Sequence, residues 1–178
     1  MGTAPTMSLI DRLFRRGPDP RESLRPLWRR VVELARDPSL YTEDGVADTT
    51  PGRFDMITAV LSLVLLRLER DRVLAREGAL LTELFVEDMD GQLRESGVGD
   101  VVVGKRVGRL VSVLGGRLGA LRAALAAPGE AELEAVLERN MTMTDGRATE
   151  ALARRLRAFH ERMAALDSKK LLAGDFAL

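Results

Sequence analysis

Residues 50–66 read TPGRFDMITAVLSLVLL. Thr50 is a good helix N-cap, and Pro51 suits the first helical turn, where its missing N–H costs nothing. From Met56 to Leu66 no charged residue occurs, with Asp55 just before the run and Arg67 just after it. The run falls well short of the roughly 20 apolar residues that a membrane-spanning helix needs. It is apolar on every side, which predicts a buried central helix over about 51–74 with its charged end, RLERDR, in solvent.

Outward from this helix, Pro and Gly divide the chain into further helices, and no period-two strand pattern appears. A helix over about 22–37 stops at Asp37-Pro38, and the polar loop SLYTEDGVADTT separates it from the central one. Helices follow at 78–96, closed by Gly97, and at 100–127, capped by Asp100 and ended by Pro128-Gly129. Two more, at about 130–140 and 147–167, meet at an Asp145-Gly146 turn, and the apolar tail LLAGDFAL should pack down. The expected class is all-α: one compact domain of about six to seven helices over 21–178, preceded by a short amphipathic helix within residues 1–20.

With 178 residues the chain can bury a core without staples, and it has no Cys, which removes disulfides, thiolate metal sites and thiol nucleophiles. Acidic and basic residues balance at 27 each and aromatics are 4%. Neither a global positive field nor stacking platforms mark it for nucleic acid, so no nucleic-acid specificity is expected.

The acidic stretch LFVEDMDGQLRESGVGD (84–100) invites a catalytic or metal reading. On a helix, Leu81, Phe85, Met89 and Leu93 share one face, while Glu87, Asp90 and Arg94 lie opposite as a polar ridge. Asp88 sits at the edge of the apolar face. There it needs a partner, for which Arg53, Lys105 and Arg106 are the candidates, and Asp88→Ala is expected to cost over about 1 kcal/mol. A metal reading fails on ligand supply, since His160 is the sole histidine. Gly99–Arg106 imitates a phosphate-binding loop, but Arg106 stands where a magnesium-binding Ser or Thr belongs and a helix precedes it. No catalytic or cofactor-binding constellation is expected.

Helix 100–127 carries small residues at spacings of three and four: Gly104, Gly108, Ser112, Gly115, Gly119, Ala123 and Ala126. Each glycine inside a helix costs about 0.5–1 kcal/mol relative to Ala. Two readings stay open. The stripe either packs closely on the central helix, or, with helix 78–96, forms a groove for an apolar helix. The N-terminal helix sets Leu9, Ile10, Leu13 and Phe14 against Arg12, Arg15 and Arg16, a face that packs onto the bundle or touches a membrane surface.

Three blocks, DTTPGRFDM (48–56), LFVEDMDGQLRESGVGD (84–100) and VGKRV (103–107), in this order and spacing, resemble the ubiquinol–cytochrome c chaperone family. The resemblance spans about residues 25–175. It departs from the family pattern after Gly116-Arg117, where members often carry Tyr and this chain has Leu118-Gly119-Ala120-Leu121. It implies a bacterial, cytoplasmic, non-enzymatic assembly factor for the cytochrome bc1 complex, in peripheral contact with the inner face of the plasma membrane at most. The implied partners are cytochrome b or another bc1 subunit, a small partner protein and the ribosome, with no cofactor. The residues it points to are Asp48, Arg53, Phe54, Asp55, Asp88, Asp90, Arg94, Glu95, Asp100 and Lys105, in partner binding or structural pairing. The competing reading is a helical adaptor that joins soluble proteins.

Overall fold

The computed structural model describes residues 19–95 and 103–178, with side chains described outside 93–106. The helices are α1 (Arg25–Ala35), α2 (Pro38–Thr42), α3 (Thr50–Glu69), α4 (Ala75–Glu95), α5 (Val103–Ala126), α6 (Ala131–Asn140), α7 (Glu150–Ala164) and α8 (Ser168–Ala173), with 3₁₀ turns at Pro20–Leu24 and Arg72–Leu74. Among the described residues the nearest thing to a strand is an isolated antiparallel bridge between Val46 and Met143. The fold is all-α, as expected, and six of its helices reach ten residues or more.

α3 is the axis of the fold. Every residue from Asp55 to Leu66 is buried, with α1, α4, α5 and α7 packed around it. Each buried Leu, Ile or Val contributes about 1.5–3 kcal/mol over its exposed state, which makes this helix the main hydrophobic asset of the domain. Its two buried hydroxyls are satisfied within the helix: Thr58 Oγ1 donates to the Asp55 carbonyl at 2.9 Å and Ser62 Oγ to the Thr58 carbonyl at 2.7 Å. Trp28 of α1 meets Phe85 of α4 edge-on, with centroids 6.1 Å apart. The C-terminal tail packs down as its composition predicts. Phe176 lies against Phe159 at 6.1 Å, and Arg30 Nε donates to the Phe176 carbonyl at 2.6 Å.

Three boundaries differ from the sequence reading. Thr49 caps α3, accepting from the Gly52 N–H at 3.2 Å, while Thr50 is already helical. The central helix ends at Glu69 instead of running to 74. Asp71 accepts from the Val73 N–H at 3.2 Å and starts a 3₁₀ turn that feeds straight into α4, and no Gly or Pro announces this corner. Residues 38–42, expected in a polar loop, form α2 because Asp37 caps them at Ser39 N (2.9 Å) and Pro38 supplies the first turn. The expected N-terminal helix with Leu9, Ile10, Leu13 and Phe14, the Gly97 cap and Asp100 lie outside the described residues.

The start of α3 is set by a close approach. A Cβ on Gly52 would stand 2.0 Å from the carbonyl oxygen of Ala47. That carbonyl cannot retreat freely, because it accepts from the Thr49 N–H at 2.8 Å while the Ala47 N–H donates to the Thr142 carbonyl at 2.9 Å. Gly52→Ala is therefore expected to cost about 3 kcal/mol or more by overpacking. Gly116→Ala, where a Cβ meets no atom within 4 Å, should raise stability slightly. Urea denaturation of the two variants checks this, and equal midpoints would refute the assignment.

Candidate functional site

Asp55, the last charge before the apolar run of α3, is 6% exposed and fully engaged. One carboxylate oxygen accepts from Arg117 Nη2 of α5. The other accepts from the Thr142 N–H at 2.9 Å and from Thr142 Oγ1 at 2.6 Å. Arg117 also donates to Thr58 Oγ1 through Nη1 and lies 5.7 Å from the centroid of the Phe54 ring. One buried ion pair thus ties α3, α5 and the segment after α6. Arg117 escaped the sequence reading, although its position carries a signal. Leu110, Leu114, Arg117, Leu121 and Ala124 follow a four–three–four–three spacing, so the arginine interrupts the buried stripe of α5.

A second pair closes the 39–46 segment onto α7. Arg155 Nε lies 2.7 Å from the buried Asp44 Oδ2, but the approach is off-line and that oxygen receives no directed hydrogen bond. Burial pushes the Asp44 carboxyl above its ordinary range, and the Arg155 charge partly opposes the shift.

The described residues among those singled out by motif lie in separate places. Asp48 and Arg53 pair with each other at 2.6 Å on the surface, and this hydrogen bond holds the Asp48 carboxyl below its usual range. Of the three candidate partners of Asp88, Arg53 is therefore taken, because Asp48 lies on the loop directly before α3, while the side chains of Lys105 and Arg106 lie outside the described set. Phe54 is half-buried against Phe85 at 6.3 Å. Asp88 is half-buried in a cleft of about 320 Å³ between α1 and α4, beside Arg25, Trp28, Leu84 and Gln92. It has no hydrogen bond or ion pair to a described residue. Glu87 is exposed and bound by Arg21 at 2.9 Å, and Asp90 is half-buried. The side chains of Arg94, Glu95 and Lys105, and the surroundings of Gly104, lie outside the described set.

The small-residue stripe is not core. Gly108, Ser112, Gly115, Gly119 and Ala123 are all exposed, and a Cβ on Gly108, Gly115, Gly116 or Gly119 would meet nothing within 4 Å. α5 packs on α3 through the opposite side, with Leu110, Leu114, Leu121 and Ala124 buried. The close packing on the central helix foreseen for the stripe is thus carried by that leucine face. Val111, 45% exposed, adds an apolar side chain to the outer face.

His160 lines a second cleft, of about 380 Å³, with Leu66, Glu69, Arg70, Arg122, Leu125 and Ala126. Burial, reinforced by Arg70 and Arg157, lowers its pKa below the ordinary imidazole value. Among the described residues, no three His, Asp or Glu side chains gather closely enough to hold a metal ion.

The buried clamp and the open cleft predict opposite mutational costs. Asp55→Ala strands the Arg117 charge, 14% exposed, and is expected to lower stability by about 3–5 kcal/mol. Replacing Asp55 and Arg117 together by leucine should recover much of that loss. Asp88→Ala, which breaks no pair with a described residue, is expected to stay within about 0.5 kcal/mol of wild type. Chemical denaturation of the three variants is the measurement, and an Asp55→Ala loss below about 1 kcal/mol would show that the clamp carries little.

No curated protein matches the chain. Among solved structures, the crystal structure of the Cbp3 homolog from Brucella abortus aligns with a TM-score of 0.74 and 29% identity, over 95% of this chain and 96% of that one. The profile described as ubiquinol-cytochrome C chaperone matches residues 42–178. That match begins just before the loop leading to Gly52, takes in Asp55 and Arg117, and runs to the C-terminus; the chain belongs to the ubiquinol–cytochrome c chaperone family.

Proposed function

We propose that this protein is a non-enzymatic chaperone for assembly of the cytochrome bc1 complex, and that it holds an apolar transmembrane helix of newly made cytochrome b against the outer face of α5. Family membership supports the first part. The observation that carries the second is the open face itself: Gly108, Ser112, Gly115, Gly119 and Ala123 are exposed, and their glycines have room for side chains they do not carry.

The energetics make that face unusual. Four exposed helical glycines forgo roughly 0.5–1 kcal/mol each, and nothing among the described residues requires their small size. A close-approaching partner does. In lipid-facing helices, small residues at spacings of three and four let two backbones approach and gain dispersion contacts. At 1.5 Å per residue, the 24 residues of α5 span about 36 Å, enough to lie along the roughly 30 Å hydrocarbon segment of a membrane helix. No described helix of this protein is itself long and apolar enough to cross a membrane.

Two measurements test the proposal at its two levels. Deletion of the gene should abolish the b-type haem signal of bc1 and its ubiquinol–cytochrome c reductase activity in membranes, with other respiratory complexes intact; unchanged activity would remove the assembly role. Gly108→Leu and Gly115→Leu should leave the fold intact by circular dichroism and melting, yet cut co-purification of cytochrome b about 5- to 30-fold, as expected when a close helix contact worth about 1–2 kcal/mol is blocked. Alanine at the same positions should raise the melting temperature. Leucine variants that retain full client binding would move the client site off α5.

A further inference from the structure

The α3–α4 corner exposes Val73 to 80%, more than any other large apolar side chain among the described residues. Around it the chain reads ERDRVLARE over Glu69–Glu77, and Arg70, Arg72 and Arg76 are all exposed. α8 brings two more cations to the same corner. Ser168 Oγ lies 3.4 Å from Asp71 Oδ2, and Arg67 donates to the Leu166 carbonyl at 2.6 Å, so the exposed Lys169 and Lys170 of the first turn of α8 stand beside the 3₁₀ turn.

Of the neighbouring acids, Glu69, Asp71 and Asp167 are engaged, and Glu77, half-buried on the first turn of α4, is the fourth. Glu69 binds Arg122 at 2.7 Å. Asp71 accepts from the Val73 N–H and from Ser168, and Asp167 caps α8 through the Lys169 and Lys170 N–H groups. None of Arg70, Arg72, Arg76, Lys169 and Lys170 forms an ion pair with a described residue. In a chain whose formal charge sums to zero, these five cations outnumber the three remaining acids, Asp71, Glu77 and Asp167, which leaves a local positive excess around an exposed valine.

We propose that this corner is a membrane-contact surface, with Val73 dipping into the headgroup layer of an anionic bilayer and the five cations attracted to its lipid phosphates. The apolar tip decides between this occupant and RNA. A basic patch that follows a nucleic-acid backbone gains nothing from an aliphatic side chain at its centre, and the corner offers no aromatic ring to stack on a base. A bilayer rewards both features, by attracting cations to anionic headgroups and by burying apolar surface at the interface. The inference does not depend on which client α5 holds.

The test is sedimentation of the full-length protein with phosphatidylglycerol–phosphatidylcholine vesicles, against vesicles of phosphatidylcholine alone. Binding is expected only with the anionic lipid and should weaken with salt. Arg72→Gln with Arg76→Gln should weaken it roughly 25-fold, since each cation near such a surface contributes about a fivefold factor. Val73→Ser, which leaves the charge unchanged, should weaken it about threefold. All these residues are exposed, so the variants should melt as wild type does. Vesicle binding indifferent to both changes would place the contact on another segment and overturn the proposal. So would a patch that binds an RNA oligonucleotide in an Arg72- and Arg76-dependent, Val73-independent manner while ignoring the vesicles.

Discussion

The structure depends on a buried charge. Asp55 lies at the mouth of the most apolar helix in the chain, and ionised it is tolerable there only because Arg117 and Thr142 surround it with donors. A pair like this adds little net stability over a well-packed apolar substitute. What it supplies is register. The carboxylate can be satisfied only when α5 presents Arg117 opposite the first turns of α3 and when the segment after α6 lies along the loop before α3. The Val46–Met143 bridge and the Ala47–Thr142 hydrogen bond hold that second contact in place. Gly52 completes the arrangement, since only a glycine lets α3 start under the Ala47 carbonyl.

How much of this the sequence discloses follows from the range of each interaction. α3 is legible because its evidence is local: a cap, a proline and an unbroken apolar run within 17 residues. The short helix α2 and the corner at Asp71 were missed because each rests on a single capping carboxylate, a signal that many surface aspartates imitate. The partner of Asp55 lies 62 positions away, and no local pattern selects it among the many arginines. The interruption of the leucine stripe by Arg117 narrows the choice only once α5 is known to pack on α3. Asp88 is less legible still. Its place beside apolar residues suggested a buried pair, but the helix edge it occupies opens into a cleft, where water can solvate the carboxylate.

The small-residue stripe required the structure most. Its periodicity was plain in the sequence, but periodicity does not say which side of a helix faces the core. Two stripes run along α5, one of leucines and one of small residues, and either could pack on α3. The leucine side wins because it buries far more apolar area per turn, while glycine buries almost none. The small side is left outward by default, and the clamp at Arg117 fixes the rotation of α5 about its own axis, so the outward face is held rigidly. A rigid, preorganised face loses less entropy when an incoming helix docks than a mobile one would.

The two proposed surfaces are also continuous. Arg122 and Ala126, at the C-terminal end of α5, line the same cleft as Arg70 of the basic corner, together with Leu66, Leu125 and His160. An apolar segment leaving a bilayer beside that corner would therefore meet the end of the stripe without crossing a charged ridge, because the Arg122–Glu69 pair neutralises the nearest charges on the way. The cleft has an apolar floor in Leu66 and Leu125, and burial favours the neutral form of its one imidazole at ordinary pH. The cleft's charges are those of Glu69, Arg70 and Arg122, of which Glu69 and Arg122 pair, so charged and apolar lining share one cleft. Under the two proposals, a chaperone that takes a helix from a membrane would use both kinds of surface: an electrostatic foothold on the lipid and an apolar face for the client.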